Sequence, residues 1–226
     1  MRALFLVLIV LASCLPSFAA EPGPRTVNLA VLGRWLQRGE SLQTIQADFV
    51  QTRALKTLRE PLANPGRFWF RAPDHLRWEL GNPARTIFLR RANEILLIEP
   101  LAKKATRLDP ATLASHSAAR GMGLMRFPMA TSLDDFKQQF DVLDLLEKED
   151  WCELSLLPKE IQARKFLKAI QIRFSTTTGE LHHFEMITRE GSILRNAFSN
   201  VRLNQPLADA VFAFDLTGYE VVDAKK

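Results

Sequence analysis

Few side chains in this 226-residue sequence stand at spacings that chemistry needs. His182 and His183 are adjacent in a segment of strand character, so their side chains point to opposite faces and cannot share a metal ion. Ser115, His116 and Ser117 have no acid at a telling spacing and lack the strand-turn-helix setting of a nucleophile elbow. Asp134 and Asp135 sit where a helix begins, and Glu147 to Asp150 is a short charge run, so both read as capping and solvated charge. No Gly-rich nucleotide loop is present. The expectation is a protein that is not an enzyme and uses neither cofactor nor metal.

What remains is apolar. Phe68, Phe70, Trp78, Phe88, Phe136 and Phe140 fall in segments expected to face inward, joined by Met122, Leu124, Met125, Phe127 and Met129. Such a set suits acyl chains, although each ring taken singly is also what a large β core requires. Three of the five methionines lie between 122 and 129, beside Gly121 and Gly123. Flexible thioethers make an adaptable apolar surface, so this segment reads either as a gate to a pocket or as an interface between lid and sheet.

The elements that must position these residues follow from periodicity. Val27 to Gln37 has helical spacing, and Gly39 is expected to stop it. Short β segments follow at Ile45 to Thr52, Arg67 to Arg71, His75 to Leu80, Thr86 to Arg90, Ile95 to Glu99 and Ala105 to Leu108. Asn64-Pro65-Gly66, Ala72-Pro73-Asp74 and Gly81-Asn82-Pro83 are read as the turns between them. The middle of the chain holds a possible helix at 111–119 and an amphipathic helix capped by Ser132, with Leu133, Phe136, Phe140, Leu143 and Leu146 on one stripe. Strands resume at Trp151 to Leu157, Lys168 to Ser175, Leu181 to Thr188 and Ile193 to Leu203, with a last one at Val211 to Phe214. The order predicts a mainly β (α+β) fold, a curled antiparallel sheet of about eleven strands with helices laid over it and a pocket between.

Arg2 and the apolar run Leu4 to Leu11 have the form of a signal peptide, and the small residues at 17 and 19 suit cleavage after Ala19. The run is too short to span a bilayer. Residues 1–19 are therefore expected to be removed, leaving 20–226 as one domain. Leu11-Ala12-Ser13-Cys14 also has the form of a lipobox, whose Cys14 would anchor the protein by acyl chains. If Cys14 is lost with the signal, Cys152 is the one remaining thiol and no internal disulfide forms. The net charge of +5 comes from scattered Lys and Arg with no nucleic-acid motif, which suits anionic membranes or acidic partners better than nucleic acid.

Segments in order along the chain resemble the outer-membrane lipoprotein carrier family, LolA. Gly66-Arg67-Phe68-Trp69-Phe70-Arg71-Ala72-Pro73 followed by His75-Leu76-Arg77-Trp78 looks like the family's glycine, aromatic strand, basic residue, proline and Trp-bearing strand. Phe49-Val50-Gln51 resembles the end of its first strand, Asn82-Pro83 and Ile95 to Pro100 its next two, and Phe198 to Asn204 with Val211 to Phe214 its closing strands. The resemblance runs from about Val27 to Asp223. It implies an unclosed antiparallel β-barrel with a helical lid over a hydrophobic cavity for lipoprotein acyl chains. It also implies a periplasmic monomer, with an inner-membrane ABC transporter as donor and an outer-membrane receptor as acceptor. The family's lid-bonding arginine before proline is Ala72 here, and neighbouring Arg71 reaches the same face only if its strand slips or bulges. Arg67, Arg71 and Arg77 are the candidates for lid control or partner contact. The departure at Ala72 keeps open a carrier of another lipid or pigment; a lipidated Cys14 would instead make the protein an outer-membrane receptor, and the resemblance extends to periplasmic sensor modules built on the same half-barrel.

Overall fold

The computed structural model describes residues 28–92, 94–109 and 132–224. Helix α1 (Ala30–Glu40) precedes β1 (Thr44–Ala54), β2 (Leu62–Arg71), β3 (His75–Leu80), β4 (Thr86–Arg91), β5 (Glu94–Glu99) and β6 (Lys104–Leu108). Helix α2 (Leu133–Gln139) runs into β7 (Phe140–Glu147) and β8 (Trp151–Pro158). After helix α3 (Ile161–Phe166) come β9 (Leu167–Ser175), β10 (Leu181–Thr188), β11 (Ile193–Leu203) and β12 (Glu220–Asp223). The twelve strands form one sheet in the order β12-β6-β5-β4-β3-β2-β1-β11-β10-β9-β8-β7. Every neighbouring pair is antiparallel except β12 with β6. The sheet is curled but unclosed, with β7 and β12 as its edges.

Alternation sorts side chains onto two faces. The inner face carries two apolar clusters. One packs Val31, Leu32 and Leu36 of α1 and Phe136 of α2 onto Leu154, Ile170, Ile172 and Phe174. The other gathers Phe49, Phe68, Phe70, Trp78, Phe88 and Leu97 from β1 to β5. Phe198 packs against both. On the outer face Ile87, Leu89, Leu96 and Ile98 are covered by Phe212, Phe214 and Tyr219 of the C-terminal segment. Burial on both faces explains why Ile95-Leu96-Leu97-Ile98 is an unbroken apolar run.

Several expectations are corrected. The helix opened by Ser132 ends at Gln139, and Phe140–Glu147 is strand β7, paired with β8 through Phe140↔Pro158 to Glu147↔Cys152. Ladder pairing at the sheet edge outweighs the helical period, and Leu143 and Leu146 are exposed instead of forming a buried stripe. Val211–Phe214 is not a strand: Asp209–Phe212 is a 3-10 turn, and the carbonyls of Val211 and Ala213 accept from Arg77 Nη1 at 2.9 Å each. The closing strand is Glu220–Asp223. Asn64-Pro65-Gly66 lies inside β2 and the turn precedes it, because Gly66 passes beneath the ring of Phe49. Helix α1 continues through Gly39 to Glu40, and α3 is a further short helix, capped by the Glu160 side chain, that the residue spacing does not predict.

Cys152 is fully buried in the first inner cluster, and burial, with Glu147 and Glu153 nearby, pushes its thiol up to about 12. It stays protonated and acts as a small apolar core residue.

Candidate functional site

The inner face and α1 enclose a cavity of about 100 Å³ where the two clusters meet. Trp35 and Leu36 of α1 form its roof, Ala47, Phe68 and Trp78 one wall, and Leu181, Phe184, Phe198, Val201 and Leu203 the other. Arg38, Thr178 and Gly179 close one end.

Helix α1 is fastened over this cavity by its own side chains. Trp35 stacks on Phe174 with centroids 4.4 Å apart, and its Nε1 donates to the Gly179 carbonyl at 2.8 Å. Arg38 Nη1 donates to the carbonyls of Thr176 and Thr177 at 3.0 and 2.9 Å. These contacts tie the C-terminal half of the helix to the turn between β9 and β10.

The second wall depends on one irregularity. The β1–β11 register shifts between Gln46↔Arg202 and Asp48↔Ser199, so β11 holds one extra residue there. Asn200 adopts φ +52° and donates from Nδ2 to Asp48 Oδ2 at 2.8 Å. Without this bulge, strict alternation from Phe198 would aim Val201 and Leu203 outward; with it all three line the cavity.

Of the residues expected to meet acyl chains, Phe68 and Trp78 line the cavity, while Phe70 and Phe88 lie beside it in the inner cluster. They come together because Phe68↔Trp78 and Trp78↔Phe88 are cross-strand partners and Phe70 is two residues along β2. Phe136 and Phe140 pack with each other, centroids 5.3 Å apart, in the core under the helices. Met122, Leu124, Met125, Phe127 and Met129 lie outside the described residues, as do Cys14, the signal segment, Ser115 to Ser117 and the helix expected at 111–119. Sequence reasoning missed Trp35, Leu36, Phe184, Phe198, Val201 and Leu203 as cavity walls. The available signal was Asn200, a residue that tolerates left-handed backbone, set inside a strand pattern.

Arg67, Arg71 and Arg77 all occupy the outer face. The β1–β2 register runs unshifted from Thr44↔Arg71 to Arg53↔Leu62, so Arg71 does not reach inward, whereas Ala72 packs on the inner cluster. Arg71 pairs with Asp209 at 2.5 Å and lies over the Phe212 ring. Arg67 and Arg77 both bond the buried carboxylate of Glu79, at 2.8 Å each, and Arg77 lies over the Phe214 ring. Through Arg71 and Arg77 this set fastens the C-terminal segment across the outer face.

His182 is exposed and His183, 6% exposed, faces outward beside Glu153, Arg173 and Arg195. No group of three or more potential metal ligands occurs among the described residues. Burial, with Arg195 and Arg173 near it, lowers the His183 pKa from 6.5 to about 4, against a smaller opposing pull from Glu153. Because the folded state holds this proton less tightly than the unfolded chain, its contribution is complete above pH 6.5 and is lost as pH falls toward 4. The loss reaches about 3 kcal/mol. Chemical denaturation across that window should show a shallower pH slope in His183→Gln than in the parent; equal slopes would contradict the assignment.

The family model described as outer membrane lipoprotein carrier protein LolA matches residues 40–215. No curated protein sequence matches the chain. Among solved structures, an uncharacterized conserved protein from Thermus thermophilus superposes with TM-score 0.52 at 9% identity, over 86% of this chain and 97% of that one. A LolA superfamily protein from Nitrosomonas europaea gives TM-score 0.41 at 9% identity, over 80% and 97%. The MucA/MucB complex of Pseudomonas aeruginosa gives 0.48 at 14% identity, over 84% of this chain and 61% of the matched one. At these identities the likeness is one of fold.

Proposed function

The chain belongs to the outer membrane lipoprotein carrier protein LolA family, and from that premise we propose that it is a periplasmic carrier of lipoprotein acyl chains between the inner and outer membranes. The observation that supports this reading best is the apolar cavity between the inner sheet face and α1, walled by Trp35, Phe68, Trp78, Phe184 and Phe198. At ~0.8 kcal/mol per methylene, one long acyl chain in water costs on the order of 10 kcal/mol, so transit between membranes demands such a shield. The cavity, at about 100 Å³, is smaller than the roughly 300 Å³ at which pockets for drug-sized ligands begin. On this reading the arrangement is the closed one. Filling it requires α1 to lift from the β9–β10 turn, which breaks the Trp35 and Arg38 bonds to that turn.

Loading and delivery then follow differences in affinity between an inner-membrane ABC transporter, this carrier and an outer-membrane receptor, each biasing the open or closed arrangement. On this reading residues 1–19 direct export and 20–226 act as one domain. Native mass spectrometry after mixing with a detergent-solubilised triacylated lipoprotein tests the cargo. A one-to-one complex, lost when the same lipoprotein is deacylated, is the expected result; binding of free lipids with no lipoprotein complex would overturn lipoprotein transport.

A further inference from the structure

One end of the sheet leaves large apolar side chains in water on neighbouring connections. The β1–β2 loop exposes Leu55 and Leu58, with Leu62 at the start of β2, and α3 exposes Ile161 at 72% and Phe166 at 58%. Strand register brings these connections to the same end. Ala54 is the partner of Ile193 and Thr188 that of Leu167, so the β10–β11 turn lies between the β1–β2 loop and α3.

Direct contacts make the three tips continuous. The Lys56 side chain lies over Gly191, where an added Cβ would stand 2.7 Å from its Cε. Arg189 donates its backbone N–H to the Phe166 carbonyl at 2.8 Å and its Nε to the Arg164 carbonyl at 2.6 Å.

The charge around these tips has one sign in excess. Lys56, Arg59, Lys165, Lys168 and Arg189 are exposed there, against Glu60, Glu160 and Glu190. Of the acids, Glu160 is engaged by the backbone N–H groups of Gln162 and Ala163. Apolar side chains on protruding tips, flanked by lysine and arginine, match a bilayer interface, where the former enter the acyl boundary and the latter meet anionic headgroups. A peptide or protein groove would instead call for a strip with helical or strand spacing, and these residues stand on separate connections.

We propose that this end of the sheet docks on the anionic surface of a phospholipid bilayer. The cavity, closed by Arg38, Thr178 and Gly179, lies toward the opposite end, near the turn between β9 and β10. Docking therefore leaves α1 and that turn facing the aqueous phase, where a protein partner can reach them. The surface is separate from the acyl site and does not depend on it.

Vesicle co-sedimentation of the purified protein, free of acyl modification, tests this with phosphatidylcholine vesicles with and without phosphatidylglycerol. Binding is expected only with phosphatidylglycerol, and it should fall as salt rises. Charge reversal by Lys56→Glu with Lys165→Glu should weaken it roughly tenfold or more. Ile161→Asp with Leu58→Asp should abolish it. Both variants alter exposed side chains, so the thermal midpoint and acyl-probe affinity should stay at the parent's values. Equal binding to pure phosphatidylcholine, indifference to both variants, or capture of an acidic protein with no vesicle binding would each overturn the proposal.

Discussion

Replacing Gly66 by valine is expected to cost the fold about 3 kcal/mol or more, the upper range for overpacking a closed core. A Cβ at this position would stand 2.1 Å from Phe49 Cζ and 2.5 Å from both Cε atoms. The ring has little room to retreat, because Phe49 is 2% exposed and stacks on Trp78 with centroids 3.9 Å apart. Moving it would displace Trp78, and with it the Phe68–Trp78 edge contact that forms one cavity wall. Urea denaturation reads the loss directly, and a change under about 1 kcal/mol would mean that the sheet yields elsewhere. Gly66→Ala combined with Phe49→Ala should cost less than the sum of the two single changes, because the clash disappears with the ring.

Val201→Trp is expected to weaken binding of a long-chain acyl probe roughly tenfold or more, equivalent to excluding about two methylenes from the cavity. Val201 lines the cavity from β11 and is half-buried, so an indole fills space the ligand needs while part of it remains in water. Aromatic residues are well accepted on strands, and the thermal midpoint should move little. Fluorescent displacement measures the affinity. An unchanged value would place the acyl site elsewhere than between α1 and the sheet.

Much of this was legible in the residues. The aromatic set Phe68, Phe70, Trp78 and Phe88 could be read as one surface because period-two alternation carries across paired strands whatever the overall curl. Alternation also set Arg71 and Ala72 on opposite faces, and the unshifted β1–β2 register keeps them there. Local spacing was silent where long-range pairing decides. Phe140 to Glu147 satisfies a helical stripe as well as a strand, and its pairing with β8 settles it. Val211 to Phe214 alternates like a strand, yet it covers the outer face while Arg77 takes its carbonyls. The roof residues Trp35 and Leu36 read as ordinary core because only the curl of the sheet leaves space beneath them. The wall at Val201 and Leu203 was hidden by the bulge at Asn200, which reverses the facing of every residue after it.

Carriage requires an acyl chain to enter the space under α1, and isothermal titration of the purified protein with saturated fatty acids of increasing length tests that most directly. Each added methylene should tighten binding by up to roughly fourfold, with a negative heat-capacity change, until the chain outgrows the cavity. Affinity that ignores chain length, or no binding at any length, would contradict it.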